Sequence, residues 1–458
     1  MSLTLPSELL SSLAGVKGFD PETFEKVHTN GGQVTSIRFN PAKWKGSTDQ
    51  PTERVPWSSF GYYLPQRPSF TFDPLFHAGV YYVQEASSMF LEQALRQTTD
   101  LTRPLRVLDL CAAPGGKSTL IQSLLSVDSL LVSNEVIRSR VSILQENMVK
   151  WGAANVIVTQ NDPRDFQRLE NYFDIIVVDA PCSGSGLFRR EPEAIAEWSP
   201  ANVELCQQRQ QRILADCWPA LRKDGLLIYS TCSYSRQEDE DILDWLMKDL
   251  QAASCQLRVE ESWGIVETCG KKGGWGYRFY PDKLKGEGLF LSVLRKEEGG
   301  NFIAPRSKKP ALEKLSRREQ EEIDRWTNKE IPLFYFRHQE QIGCLPASLS
   351  EDLSWLHAHC YLKKAGILMG QAGAKEFIPE HELALSTLMG KEIPGMTLSR
   401  EEAISYLRKD EIPLPAGTSG RGWTLVQYEG HSLGWVKILP NRVNNYYPKE
   451  WRILKRES

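Results

Sequence analysis

No apolar run in this chain approaches the roughly 18 residues that a membrane-spanning helix requires. The longest, at 175–178 and 225–229, are the length of strands. The opening residues, MSLTLPSELL, lack the basic-then-apolar order of a secretory signal. A cytoplasmic location and no membrane partner are therefore expected. Cysteine is sparse: nine residues, an odd number at irregular spacing, which argues against a disulfide framework. No Cys-x-x-Cys pair occurs, so a structural zinc site is not expected, nor any other metal. Positive charge is not in excess either. Lys and Arg total 55 against 58 Asp and Glu, a formal net charge of −3, whereas dedicated nucleic-acid binders are usually basic overall. There is no internal repeat and no long low-complexity tract.

What is present is the composition of an ordinary globular protein, with 41% hydrophobic and 25% charged residues. A length of 458 residues suggests roughly two to four domains. Residues 1–100 read as a first unit, with an amphipathic helical pattern, a strand at 35–39, a Pro- and aromatic-rich passage at 56–76 and helical spacing again at 84–95. From 104 to 297, short apolar runs alternate with helical patterns. Strands are expected at 105–110, 130–136, 155–159, 173–179 and 225–229, and helices at 117–125, 138–151, 202–221 and 238–250. This alternation implies βαβ units and a doubly wound parallel sheet, the α/β class. Pro281, Gly286 and Gly288 separate strand-like runs over 277–294 and predict a terminal antiparallel hairpin on the sheet edge. A polar, Pro- and Gly-containing stretch reads as a linker over 298–310. The division is then 1–100, 101–297, the linker, 311–385 and 386–458, the last two as small α/β or β-rich units.

The first strand of the core runs into Asp109–Leu110–Cys111–Ala112–Ala113–Pro114–Gly115–Gly116–Lys117. Ligands of doubly wound sheets bind beyond the carboxyl ends of the strands. Two glycines let backbone approach a ligand closely, and the helix that follows points free N–H groups at it. The loop is not the Gly-x-Gly-x-x-Gly of dinucleotide sites. It is not a nucleoside-triphosphate loop either, because the first glycine of that pattern would fall at Cys111. The second strand ends at Glu135, about 20 positions after the turn, where an acid suits a ribose diol. The third ends at Asn161–Asp162, where a short acid could hold an adenine amino group. Either acid alone could be a helix cap. Together at successive strand ends they favour an adenosine cofactor.

The fourth strand ends in Asp179–Ala180–Pro181–Cys182–Ser183–Gly184 and the fifth in Thr231–Cys232–Ser233. Both cysteines should therefore sit at the same rim as the cofactor loop. Most free cysteines are small core residues, but Pro, Ser and Gly neighbours mark loops. A thiolate is suited to covalent catalysis on a poorly nucleophilic ring carbon. Added at carbon 6 of cytosine, it makes carbon 5 enamine-like and able to take a methyl group. Asp179 could pair with N3 and the amino group of the base. The thiol's ordinary pKa of ~8.5 would have to fall for attack near neutrality. Residue types alone do not say which thiol attacks.

Cys-Ala-Ala-Pro-Gly-Gly-Lys, Asp-Ala-Pro-Cys-Ser-Gly and Thr-Cys-Ser, in this order, resemble the RNA (cytosine-5) methyltransferases of the NOL1/NOP2/Sun type. The resemblance spans 30–297 and takes in Tyr82–Val83–Gln84–Glu85–Ala86–Ser87–Ser88, Arg278, Pro281 and Gly286–Glu287–Gly288. It implies a Rossmann-like class I methyltransferase core and S-adenosyl-L-methionine as cofactor. It also implies roles. Cys232 would be the nucleophile, Cys182 would assist release of the product, and Asp179 would contact the cytosine and border the cofactor. Cys111, Ala112, Ala113, Pro114, Gly115, Gly116 and Lys117, with Glu135, Asp162 and Asp179, would bind the cofactor. One departure stands out: after Pro-Cys-Ser-Gly the family often has Glu-Gly, and this chain has Ser185–Gly186.

The length and C-terminal region are most similar to the bacterial RsmF type, which carries an intermediate domain and a PUA-like RNA-binding domain after the core. Residues 422–426 and 433–437 would be strands of the latter. This implies RNA as partner, 16S rRNA of the small ribosomal subunit foremost, and a monomer. Basic groups could then neutralise phosphate: Arg306, Lys308, Lys309, Lys314, Arg317 and Arg318, and Lys437, Arg442, Lys449, Arg452, Lys455 and Arg456. Aromatics of the first unit could stack on bases, and the target cytosine would have to leave its helix. Trp151, Trp198, Trp263 and Trp275 are expected in cores. The alternatives are a tRNA substrate, a DNA cytosine-5 methyltransferase, disfavoured by the Thr-Cys-Ser thiol, and a ribosome-assembly factor without activity, disfavoured by the intact Cys182, Cys232 and Asp179.

Overall fold

The computed structural model describes residues 4–46, 51, 53–300, 302–303, 312–338, 340–373, 376–412 and 421–455. Arg306, Ser307, Lys308, Lys309 and Arg456, and most of the expected linker, lie outside them. At the centre is a 10-stranded sheet. Val156–Thr159, Leu130–Asn134, Arg106–Asp109, Phe173–Asp179 and Leu221–Thr231 lie side by side in that order, all parallel. Side chains of a strand alternate between faces, and here both faces are covered. Val107, Leu131, Val158, Ile175 and Ile228 pack on one side, while Leu108, Val132, Ile157, Ile176 and Leu227 pack on the other. That double burial is why the strands read as continuous apolar runs. Helices Gly116–Leu124, Arg138–Trp151, Pro200–Cys217 and Glu240–Asp249 make the crossovers. Strand order reverses between Arg106–Asp109 and Phe173–Asp179, the switch point at which such sheets bind ligands.

The expected elements are present with shifted ends. The helix expected over 202–221 stops at Cys217, because Pro219 lacks the N–H to continue it and a short 3₁₀ turn, Trp218–Ala220, intervenes. The strand expected at 225–229 begins at Leu221. Its pairing with Phe173–Asp179 shifts register past Phe173, which hides the start behind the turn-like Arg222–Lys223–Asp224–Gly225. The closing hairpin is antiparallel as expected, Trp275–Phe279 against Leu289–Lys296, and the latter joins Leu221–Thr231. It is not the edge, however, since Val266–Cys269 pairs outside it.

On the opposite edge, Leu362–Ala365 pairs antiparallel with Val156–Thr159. The segment expected as a separate unit over 311–385 is thus stitched into the central sheet, where it covers an otherwise open row of backbone donors and acceptors. Its remaining strands form a 5-stranded sheet. The first unit is a 3-stranded sheet centred on Thr35–Phe39, and the last a 4-stranded sheet containing Gly422–Tyr428 and His431–Leu439. These two share one core, in which Ile37, Phe39 and Tyr81 pack with Tyr406, Val436 and Tyr447. Trp151 and Trp198 are buried, and Trp263 and Trp275 are half-buried. Among the described residues no helix is long and apolar enough to cross a membrane.

Arg278 fixes the hairpin to the segment that follows Leu221–Thr231. It is 1% exposed. Its Nε donates to Glu240 Oε1 at 2.7 Å, Nη2 lies 3.1 Å from Asp239 Oδ2, and Nη1 donates to the Tyr234 carbonyl at 2.9 Å. Removing the cation of a buried ion pair strands its partner, here the Glu240 carboxylate, whereas burial already drives the Asp239 carboxyl toward its neutral form. Arg278→Ala should therefore cost about 3–5 kcal/mol in urea unfolding; a loss below about 1 kcal/mol would show that Glu240 is not held as an ion by this arginine.

Candidate active site

The loop after Arg106–Asp109 turns sharply into helix Gly116–Leu124. Gly115, at φ +116°, occupies the left-handed region at the helix start, which a side chain would oppose. Neighbours hold the turn. The Ala112 N–H donates to the Asn134 carbonyl at 2.8 Å, Arg140 Nη2 to the Ala113 carbonyl at 2.5 Å, and Asn147 Nδ2 to the Pro114 carbonyl at 2.8 Å. Behind it Asp109 is fully buried and accepts from Ser118 Oγ at 2.6 Å. Burial pushes its carboxyl up to about 7.

A cleft of about 460 Å³ opens in front of this loop. Cys111, Ala113, Glu135, Asp162, Asp179, Cys182 and Cys232 line it, together with Arg140, Arg209 and Arg212. Glu135 is 2% exposed. Its Oε1 accepts from the Ile137 N–H at 2.9 Å, whereas Oε2 lies 3.3 Å from Arg140 Nη1 and has no hydrogen bond. Asp162 caps the short turn Pro163–Leu169, accepting from the Arg164 N–H at 3.2 Å, and still borders the cleft. Ala112, Pro114, Gly115, Gly116 and Lys117 do not line it; they shape the turn. The Lys117 ammonium sits 2.8 Å from Asp179 Oδ2. Burial presses its pKa down, but the Asp179 carboxylate outweighs this and holds it above the ordinary lysine range.

The cysteine loops meet at the cleft floor, with Cys182 Sγ 3.0 Å from Cys232 Sγ. The hydrogen bond to Cys232, then burial, pushes the Cys182 thiol well above its ordinary pKa. Asp179 is adjacent, its Oδ1 accepting from Ser230 Oγ at 2.8 Å. Ser185, where acid is common in the resembling family, is fully buried and accepts from the Tyr234 N–H at 3.0 Å. The serine therefore ties one cysteine loop to the other. Gly186 also belongs to this contact: its N–H donates to the Cys232 carbonyl at 2.8 Å. A Cβ there would lie 2.7 Å from that oxygen and from the Gly288 carbonyl oxygen, so a side chain would force the loops apart.

A family model described as 16S rRNA methyltransferase RsmB/F matches residues 97–295, one for the RsmF N-terminal domain matches 5–86, and one for the RsmF PUA domain matches 394–453. Ribosomal RNA small subunit methyltransferase F of Shewanella piezotolerans is 30% identical over 410 residues, covering 86% of this chain and 84% of that protein. The Shewanella woodyi protein of the same name is 31% identical over 422 residues, covering 89% and 85%. The chain belongs to the RsmF family of methyltransferases. Among solved structures, a methyltransferase homolog protein from Pyrococcus horikoshii is 26% identical with a TM-score of 0.50, over 64% of this chain and 100% of that one. NSun6 from the same organism, solved with SFG, is 19% identical with a TM-score of 0.53, over 64% and 98%.

This RsmF-family chain is accordingly an S-adenosylmethionine-dependent methyltransferase with a Rossmann-like core, an RsmF-type N-terminal domain and a PUA domain. The cleft fits an adenosine-bearing ligand by its own chemistry. Glu135 presents a buried carboxylate oxygen without a hydrogen bond, which two ribose hydroxyls could fill. Sequence reasoning named the loop, both acids and both cysteines. It missed Arg140, Ser230, Gln210 and Glu238. The last two touch the cysteine loops from behind, and the only hint was that Cys-Ser occurs twice, at 182–183 and 232–233.

Proposed function

We propose that this chain methylates carbon 5 of cytosine in 16S rRNA of the small ribosomal subunit through a covalent cysteine–cytosine adduct. The observation that carries the mechanism is the pair of sulfurs 3.0 Å apart in the cofactor cleft. The RsmF relatives, named for the small ribosomal subunit, support the substrate. Glu135 and Asp162 are the residues to hold the ribose and adenine of S-adenosylmethionine, with the backbone of 111–117 behind them. When bound, the cofactor supplies an electrophilic methyl group.

The chain's residues supply the rest. Cys232 is the attacking sulfur, adding to carbon 6 of the base. Asp179, held by Lys117 and Ser230, faces the same cleft and is placed to meet the polar edge of the cytosine. After methylation a base takes the carbon 5 proton, the electrons of that C–H bond re-form the ring double bond, and the bond from carbon 6 to sulfur breaks with its electron pair returning to Cys232. Cys182 assists that last step. Its elevated pKa keeps the S–H intact, so it can donate to the departing thiolate. Arg442, Lys449, Arg452 and Lys455 are exposed on the final unit and suit contact with phosphates. On this reading the divisions at 1–100, 101–297, 311–385 and 386–458 are an RNA-binding unit, the catalytic core, an intermediate unit and the PUA-like unit. They act as a monomer in the cytoplasm.

The test is transfer of labelled methyl to purified small subunits, deproteinised ribosomal RNA and bulk tRNA, all from cells lacking this protein. Label in small subunits or their RNA, recovered as 5-methylcytidine, is the expected result. Label in tRNA alone would keep the chemistry and overturn the substrate. No label, with cofactor binding intact, would bring forward a binding factor without activity.

A further inference from the structure

Glu238 lies directly behind the two cysteine loops and is fully buried. Its carboxylate is met from both. Oε1 accepts from the Ser183 N–H at 2.8 Å and from Gln210 Nε2 at 3.2 Å. Oε2 accepts from Ser183 Oγ at 2.5 Å and from Ser233 Oγ at 2.6 Å. Ser183 follows Cys182 and Ser233 follows Cys232, so one carboxylate oxygen receives the residue next to each sulfur. Gln210 extends the clamp, because its Nε2 also donates to the Pro181 carbonyl at 3.0 Å on the other side of Cys182. All these donors are neutral. A buried carboxylate without a cation is costly to desolvate, and the cost is offset only by a full set of well-aimed hydrogen bonds. Packing alone would be served as well by a leucine or methionine.

We propose that Glu238 is a positioning residue of the methyl-transfer reaction: by holding Ser183 and Ser233 on one carboxylate oxygen it sets the separation of the Cys182 and Cys232 sulfurs. The inference rests on the roles given to those cysteines above. Ser185 and Gly186 tie the two loops on one side of the cysteines, and the Glu238 clamp adds a tie at the residue that follows each sulfur. A displacement of about 1 Å at a reacting centre can cost roughly 10²-fold in rate, so the clamp is worth a large factor in turnover and little in cofactor affinity. Glu238→Gln is the informative change. It preserves size, but in either orientation the amide nitrogen cannot accept, so either the Ser183 and Ser233 hydroxyls or the Ser183 N–H and Gln210 Nε2 lose their acceptor.

The experiment uses the full chain and two readouts. One is the rate at which diamide, an azo oxidant that takes up both thiol hydrogens, converts Cys182 and Cys232 to a disulfide, followed by mass spectrometry of the linked peptide. The other is kcat and KM for S-adenosylmethionine, with its Kd measured separately. Glu238→Gln should slow cross-linking and lower kcat together, each by about 10- to 100-fold, with Kd unchanged within about twofold. Ser183→Ala and Ser233→Ala should each move both readouts in the same direction by less, and they carry the test if Glu238→Gln does not fold. Cross-linking at the wild-type rate in Glu238→Gln, or slowed cross-linking with wild-type kcat, would overturn the proposal. Failure of the underlying reading looks different: Cys232→Ala would then still turn over, whatever the cross-linking rates.

Discussion

Cys232→Ala should yield a folded protein that binds S-adenosylmethionine with unchanged affinity and transfers no measurable methyl group. The structure argues for a clean separation of the two properties. Cys232 is half-buried at the cleft floor, and truncating its sulfur leaves the loop's other ties in place. The Gly186 N–H still reaches the residue 232 carbonyl, Ser233 still donates to Glu238, and Thr231 still donates to Asp239 at 2.7 Å. The acids that would hold the cofactor belong to other strand ends. Chemistry, by contrast, loses its first step. Without a thiolate at carbon 6, carbon 5 of cytosine stays too electron-poor to take a methyl group. Loss of the nucleophile in covalent enzymes costs on the order of 10⁴-fold or more, and a fall of that size in single-turnover methylation is expected here. Retained turnover in Cys232→Ala, and its persistence in Cys182→Ala/Cys232→Ala, would remove the covalent cysteine mechanism.

The doubly wound core was legible because its physics is local. Strands buried on both faces must be apolar throughout, and the helices between them carry their own spacing. The rim followed from topology alone: once Asp109, Glu135, Asp162, Asp179 and Thr231 are put at strand ends, Cys182 and Cys232 have to be neighbours. What stayed hidden depends on contacts between distant segments. Nothing in 362–365 announces that it will pair with Val156–Thr159, since edge pairing is made by backbone groups that carry no sequence signature. Nor does the strand Thr35–Phe39 announce that Arg38 will be buried with its Nη2 donating to Thr119 Oγ1 at 2.7 Å, anchoring the first unit to the helix after the cofactor loop. Glu238 was hidden for another reason. An acid just before helix Glu240–Asp249 reads as a solvated group favouring a helix start, and only the fold shows that it faces inward. The polar clamp and the interdomain anchors are thus tertiary facts, while the reactive groups are written in motifs.

Cys182→Ala should accumulate a covalent protein–RNA adduct that survives denaturing gels, with the RNA already methylated within it. The argument begins with the 3.0 Å contact between sulfurs. In the attack step Cys182 is a bystander, and removing it leaves Cys232 free to add to carbon 6. In the release step the bond from sulfur to carbon 6 breaks and negative charge grows on the Cys232 sulfur, half-buried in the cleft. A donor aimed at that sulfur is then worth about 1.5–3 kcal/mol, the value of a hydrogen bond to a charged group, or a slowing of release by roughly 10- to 100-fold when it is lost. Addition and methylation proceed, elimination lags, and the intermediate becomes the species that fills the gel. Cys182→Ser tests the same point from the other side, because a hydroxyl restores a donor and should shrink the band. No band in Cys182→Ala with small subunits as substrate would assign release to another group. A band of equal strength in Cys182→Ser would show that it is the thiol itself, and not hydrogen-bond donation, that frees the product.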